Sequence, residues 1–241
     1  MRSGNPVLKS KTFARSNSTS KVMTLGGTVF KTTILFLFLL GSALYTWHQY
    51  SQGVDVTMMM IIGAIGGFIF ALITIFVKKA APITAPIYAA LQGFFIGGIS
   101  SLVEASYPGI VIQAASLTFA VLGGLLFLYA TRIIKVTRNF RLMVVSATLG
   151  IFFVYLVNFL LNIFLQTEVP YLHSSGWIGI GISLFIVAVA ALNLVLDFDF
   201  IESGVNRGAS KHMEWYAAFG LIITLVWLYI EILRLLQKIR R

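Results

Sequence analysis

Three carboxylates close the sixth apolar segment of the chain, in the stretch LNLVLDFDFIESG from Leu192 to Gly204. Ionised carboxylates are costly near hydrocarbon, so they either mark the membrane exit of a helix or include a buried, proton-sensitive group. On a helix, Asp199 is rotated by about 200° and Glu202 by about 140° from Asp197, so the three cannot face one partner. We predict that Asp197 faces inward, because Asn193, four residues earlier, extends a polar stripe from it.

Three more carboxylates lie near the ends of other apolar segments. Glu214 lies at the start of the last segment, closest in depth to Asp197, and a shared site would make a proton-sensitive latch. Lys78 or Lys79 could pair with the ionised Asp197. At the other side, Glu104 and Glu231 are predicted to form an outer acidic constriction that attracts cations. A local pair between Glu231 and Arg234 is the simpler alternative.

Composition places these residues in a membrane protein. The 241 residues are 58% hydrophobic and 11% charged, whereas soluble domains carry about a quarter charged residues. We predict an all-α fold of seven membrane helices over 29–241, preceded by a mobile basic cytoplasmic tail, 1–28. The predicted spans are 29–48, 57–77, 83–104, 110–130, 142–165, 177–200 and 214–237. Glycine pairs at Gly63/Gly67 and Gly93/Gly97 predict close helix contacts.

Lysine and arginine alternate between the connecting segments. They occur before the first span and in the second, fourth and sixth loops, and are absent from the first, third and fifth. The positive-inside rule then predicts a cytoplasmic N-terminus. The basic C-terminal end, 234–241, disagrees with seven spans and would favour a re-entrant last segment. We favour seven, because 215–237 is long enough to cross.

Signatures of enzymes and of metal or nucleotide cofactors are missing from the sequence. The three histidines fall in different boundary regions, and there are no cysteines. No phosphate-binding glycine loop or nucleophile elbow occurs. We therefore expect no enzyme, catalytic residue, metal site or cofactor. The net charge of +10 is explained by topology and lipid headgroups rather than by nucleic acid.

The chain resembles the bacterial Bax inhibitor-1-like family. The resemblance rests on LNLVLDFDFIESGVNRGASKHMEWYAAFGLIITLVWLYIEILRLL, on the opening MRSGNPVL and on PIYAALQGFFIGGISSLVEASYPGIVIQA. It implies seven membrane helices with the last at the centre, in the bacterial cytoplasmic (inner) membrane. It also implies a pH-sensitive calcium leak, in which an aspartate ending span six pairs with one in the last helix. Asp197 matches the first aspartate, whereas Thr224 stands at the position of the second. A family arginine corresponds to Lys78.

Three functions follow as alternatives. The first is a passive, proton-gated leak for calcium or other cations. The second is a non-conducting regulator that binds other membrane proteins, and the third is a proton-coupled exporter of small solutes. The lipid bilayer is the partner common to all three.

Overall fold

Seven α-helices make up the computed structural model, which describes residues 22–167 and 176–240. Each is long and apolar enough to cross a membrane, so the predicted all-α, seven-helix fold is confirmed. The helices are α1 (Leu25–Ser51), α2 (Thr57–Phe76), α3 (Ala81–Ser106), α4 (Ile110–Ala130), α5 (Arg138–Leu165), α6 (Trp177–Asn206) and α7 (Met213–Arg240).

Helix ends extend beyond the predicted apolar spans where capping residues are present. α1 begins at Leu25 because the hydroxyl of Thr24 accepts a hydrogen bond from the Gly27 N–H at 3.0 Å. Residues 25–28, which we assigned to the tail 1–28, therefore belong to α1, and residues 1–21 lie outside the described part of the chain. α7 is one continuous helix of 28 residues, which supports a crossing rather than a re-entrant segment.

α7 lies at the centre of the bundle, as the resemblance implies. It packs against α1, α3, α4 and α6. Adjacent residues such as Ala217, Ala218 and Phe219 are all buried although successive side chains point about 100° apart. A helix that is apolar and buried on several sides belongs in the interior of a bundle.

α2 and α5 are peripheral helices. α2 packs mainly on α3, and α5 packs mainly on α6. Of α5, only Val144 and Ile151 are buried, whereas side chains such as Phe152 and Phe159 are exposed. Large exposed apolar surfaces of this kind suit contact with lipid.

Two faces of the bundle can be told apart by charge. The basic face carries the start of α1, the 3-10 turn Lys78–Ala80, the α4–α5 loop and the α6–α7 loop. The far face carries the α1–α2 and α3–α4 loops and the end of α7. Lys31, Lys78, Arg132, Arg207 and Lys211 all lie at or near the basic face, which follows the alternation in the sequence.

Close packing of α1 on α3 depends on glycine. A Cβ atom built on Gly97 would lie 2.4 Å from the Ala43 carbonyl oxygen, and one on Gly93 would lie 2.2 Å from the Leu39 carbonyl oxygen. Gly63 has the same role between α2 and α3, because a Cβ atom built on it would lie 2.5 Å from the Leu91 carbonyl oxygen. The glycine spacing therefore marks true helix contacts.

Replacing Gly97 by Ala is expected to destabilise the protein. The added methyl would meet backbone atoms of Ala43, which move only if α1 shifts as a whole, and overpacking of this kind costs about 1–3 kcal/mol. The thermal unfolding midpoint in detergent should fall. Gly181→Ala is the matched control, because nothing lies within 4 Å of its Cβ position and it gains helix propensity. Equal midpoints for the two variants would contradict the close contact.

Candidate functional site

The three carboxylates at the end of α6 point in different directions, and Asp197 faces α7. Its Oδ1 atom lies 4.0 Å from the position of a Cβ on Gly220. The Thr224 side chain, one turn further along α7, lies beside the same carboxylate. Its hydroxyl donates to the Gly220 carbonyl oxygen at 3.3 Å. Because a hydroxyl has a single proton, that bond leaves no proton for Asp197.

The second oxygen of Asp197, Oδ2, is buried and has no hydrogen-bond partner among the described residues. An unpaired negative charge at such a position is costly. A Cβ atom on Gly220 would be at ordinary van der Waals distance from Asp197, so the carboxyl group lies against α7 at this residue. The mainly apolar contact between α6 and α7 therefore encloses one carboxyl group.

Asp199 and Glu202 bind arginines from the neighbouring α4–α5 region instead. Arg141 lies 2.5 Å from Asp199. Glu202 accepts hydrogen bonds from Arg132, with one N–O distance of 3.1 Å, and from the hydroxyl of Tyr129. These pairs fasten the end of α6 at the basic face, which agrees with their interpretation as a membrane exit.

Asn193 does not continue the Asp197 surface toward α7. Its side-chain amide donates to the Thr148 hydroxyl of α5 at 2.8 Å and to the Val189 carbonyl at 2.9 Å. Four residues advance a helix by about 40° beyond a full turn, which is enough to aim the two side chains at different neighbours. The polar stripe predicted from Asn193 therefore divides between α5 and α7.

Glu214 binds the beginning of α1 rather than Asp197. Its carboxylate accepts hydrogen bonds from the Thr24 N–H at 2.9 Å and the Thr24 hydroxyl at 3.0 Å. Lys211 lies 2.8 Å away, and Lys31 also pairs with it. The side chain is fully buried and packs on Gly27, so no described contact joins it to Asp197. The latch predicted between the two carboxylates is not formed.

Lys78 also reaches a different partner from the one predicted. Its ammonium lies over the ring of Tyr216, 5.3 Å from the centroid. Tyr216 in turn contacts the rings of Phe200 and Phe219. The described residues show no ion pair between Lys78 and Asp197. The lysine instead makes a cation–π contact with this aromatic cluster beside the first turn of α7.

Glu104 and Glu231, predicted as one outer constriction, bind separate groups. Glu104 accepts hydrogen bonds from the backbone N–H groups of Gly109 at 2.6 Å and Val111 at 3.0 Å. It thus caps the first turn of α4. No hydrogen bond or ion pair of the described residues joins it to Glu231.

Glu231 is buried and faces α5. The hydroxyl of Tyr155 donates to it at 2.9 Å, and Arg234 lies 3.2 Å away. Trp227 contributes an indole N–H at 3.3 Å. The local pair with Arg234, which we gave as the simpler alternative, is therefore present and extends to a tyrosine of another helix.

The two carboxylates not yet described are Asp55, in the α1–α2 loop, and Glu168. Hydrogen bonds from the side chain and the backbone N–H of Thr57 lower the pKa of Asp55, which keeps this exposed carboxylate ionised at neutral pH. Glu168 lies outside the described residues. Within the described ranges, no three His, Asp or Glu side chains cluster as metal ligands.

Several residues of the site could not be recognised from the sequence. Thr24, Lys31, Tyr155 and Thr148 gain their roles from partners on other helices. The only sequence signal among them is at Thr24, where a threonine precedes the helix by one residue as N-caps do. In the sequence, Arg132 and Arg141 served only as indicators of membrane orientation, not as partners of the carboxylates.

Fold and site together define a multi-pass membrane protein with a buried carboxyl group between its last two helices. The sequence model of the family described as Bax inhibitor 1 like matches residues 5–241, nearly the whole chain. The chain belongs to this family, which confirms the resemblance. No curated protein and no solved structure matches it.

Proposed function

We propose that the protein is a passive cation leak, with calcium as the cation, whose conductance responds to protonation of Asp197. The observation that carries this proposal is the buried Asp197 carboxyl group, which has an unpartnered oxygen and lies against Gly220 and Thr224 of the central helix. Adding or removing a proton there changes a charge at the α6–α7 contact. Membership of the family supports the choice of activity.

The chemistry at this contact favours two distinct states. A protonated carboxyl can donate one hydrogen bond and accept others, so it can be satisfied between α6 and α7 without a counter-ion. An ionised carboxylate can only accept, and the hydroxyl of Thr224 beside it donates to the Gly220 carbonyl oxygen. Ionisation therefore favours a rearrangement that brings water, a cation or another donor to Asp197.

A threonine at position 224 makes this a one-carboxyl sensor. The two-aspartate pair of the family would share one proton and titrate in two coupled steps. Here Glu214, Asp199 and Glu202 are all held by basic partners elsewhere. The flux should therefore follow pH as the titration of a single group, without cooperativity.

The test is calcium flux through the purified protein in liposomes that contain a calcium-sensitive dye. We expect flux above that of empty liposomes, and a change in its rate between about pH 5 and about pH 8. No flux at any pH would favour the non-conducting regulator. Flux that requires a proton gradient, and vanishes when pH is equal on both sides, would favour the proton-coupled exporter.

We propose the bacterial cytoplasmic membrane as the location, with the basic face toward the cytoplasm. The C-terminal cations that disagreed with this orientation have local partners. Arg234 pairs with Glu231, and Lys238 donates to the Gly179 carbonyl at 3.1 Å. Arg240 donates to the Pro108 carbonyl at 2.9 Å and to Gln113 at 3.0 Å. Because these cations are bound by groups of the protein itself, their presence at the far face is compatible with an outward C-terminus.

Single cysteines report the orientation directly, because the chain has none of its own. Ser51 and Ser210 are both exposed and lie at the far face and the basic face respectively. An impermeant thiol reagent added to intact cells is expected to label Ser51→Cys and to leave Ser210→Cys unlabelled until the membrane is permeabilised. The reverse pattern would overturn the proposed orientation.

A further inference from the structure

An open cleft separates α1 from α4 on one side of the central helix. Both helices pack on α7, but they make little contact with each other and meet at the rings of Phe36 and Phe119, whose centroids are 5.6 Å apart. Between that contact and the basic face lies a cavity of about 510 Å³, within the usual size range of ligand sites. We call it the α1–α4 cleft. Its lining includes Thr28, Thr33, Leu126, Arg132, Ile201 and Leu221.

The lining changes character along the cleft. Its deeper part is formed mainly by apolar side chains such as Leu122 of α4 and Leu221 of α7, together with Thr33 of α1. At the basic face it ends at Arg132, Glu202 and Asn206. An apolar channel with one charged end matches an amphiphile whose chain lies along the membrane normal.

The charged residues that line the α1–α4 cleft are Arg132 and Glu202, which pair with each other. The segment that follows Arg132 adds Lys135, Arg138 and Arg141, of which Arg141 pairs with Asp199. Further cations therefore follow the cleft mouth in the chain, although they do not line it. The Arg132 side chain is 63% exposed and uses two of its five N–H groups on Glu202, which leaves donors for a further anion.

We propose that the α1–α4 cleft binds a phospholipid with an anionic headgroup, from the leaflet on the basic face. The acyl chain lies between α1 and α4 against α7, and the headgroup phosphate accepts hydrogen bonds from Arg132. Guanidinium suits this task because its planar N–H groups match phosphate oxygens. Anionic lipids are attracted to clustered Lys and Arg at a membrane surface.

The cleft lies next to the part of the α6–α7 contact that encloses the buried carboxyl group. Phe198 and Leu221 line the cleft and directly follow Asp197 and Gly220 in the chain. A chain packed there supports the α6–α7 contact from its outer side. The binding site itself does not depend on whether the protein conducts cations, so it can be tested without a flux measurement.

Native mass spectrometry of the purified protein, with equal amounts of phosphatidylglycerol and phosphatidylcholine of the same chain length, measures lipid retention. We expect the wild type to retain phosphatidylglycerol in preference. Arg132→Gln should reduce that preference by about fivefold, the effect of one basic residue near an anionic headgroup. Glu202→Gln breaks the same ion pair but keeps the arginine, so it should retain or increase the preference.

The chain-binding part of the cleft is tested at Thr33, an exposed residue of its lining. Thr33→Trp should lower retention of both lipids by occupying the cleft, whereas Thr33→Val should not. Equal retention of the two lipids by the wild type would overturn the headgroup assignment. Loss of preference in both Arg132→Gln and Glu202→Gln would assign the effect to the ion pair instead, and unchanged retention in Thr33→Trp would exclude the cleft.

Discussion

Replacing Asp197 by Asn is expected to make calcium flux independent of pH, fixed at the rate that the wild type reaches at low pH. Asparagine has nearly the shape of protonated aspartic acid and carries no charge, so it imitates the neutral state permanently. Its amide fills the same space beside Gly220 and Thr224 without placing a charge there. The measurement is dye-reported flux in liposomes at about pH 5 and about pH 8, with equal pH on both sides.

Two matched controls come from the same end of α6. Asp199→Asn and Glu202→Gln remove carboxylates that are partly exposed and paired with arginines, and should leave the pH dependence intact. Their thermal midpoints show whether each variant is folded. If Asp197→Asn is folded and its calcium flux still changes with pH as in the wild type, Asp197 is not the proton sensor. Its carboxyl group would then only contribute to the packing of α6 on α7.

The fold was predictable from the sequence because its signals are local. Seven apolar segments separated by short polar loops can be counted without knowing how they pack, since each must be long enough to cross the bilayer. Helix ends were less accurate, because a cap such as Thr24 adds a turn beyond the apolar run. The central position of α7 came from the family resemblance.

Helical rotation separates Asp197 from Asp199 and Glu202, but it does not say which of them faces inward. The residue used to choose Asp197, Asn193, turns out to contact α5 rather than α7. The partner of Asp197 could not be predicted either. Depth along the membrane suggested Glu214, but depth does not say which helix a side chain faces. Glu214 instead accepts hydrogen bonds from Thr24 and Lys31, which are 190 and 183 residues away in the chain.

The far-face carboxylates show the same limit. Glu104 and Glu231 lie near the ends of their helices, as expected, but each finds a nearer partner. Glu104 meets the free N–H groups of α4, five and seven residues further on. Glu231 meets Tyr155, whose position beside α7 depends on how α5 packs. Neither contact follows from charge or spacing alone.

Replacing Glu214 by Ala is expected to cause the largest loss of stability among changes at the basic face. The carboxylate joins the start of α7 to the start of α1 through Thr24 and to two lysines. Its loss strands the Lys31 ammonium, whose side chain is 12% exposed, together with the Thr24 N–H. Breaking a buried pair costs about 3–5 kcal/mol, and we expect about 3 because the cluster lies near water. The thermal midpoint in detergent should fall by roughly 6–12 °C.

The order of the single variants tests this account more strictly than any one value. Lys31→Ala should lower the thermal midpoint less than Glu214→Ala does. The remaining carboxylate still pairs with Lys211 and accepts hydrogen bonds from the N–H and the hydroxyl of Thr24. Lys211→Ala should cost least, because its side chain is 42% exposed and loses little on returning to water. In the Glu214→Ala, Lys31→Ala double variant the two losses should be less than additive, since the partners act as one unit. Strict additivity would show that the two side chains stabilise the protein independently, which would contradict a stabilising ion pair between them.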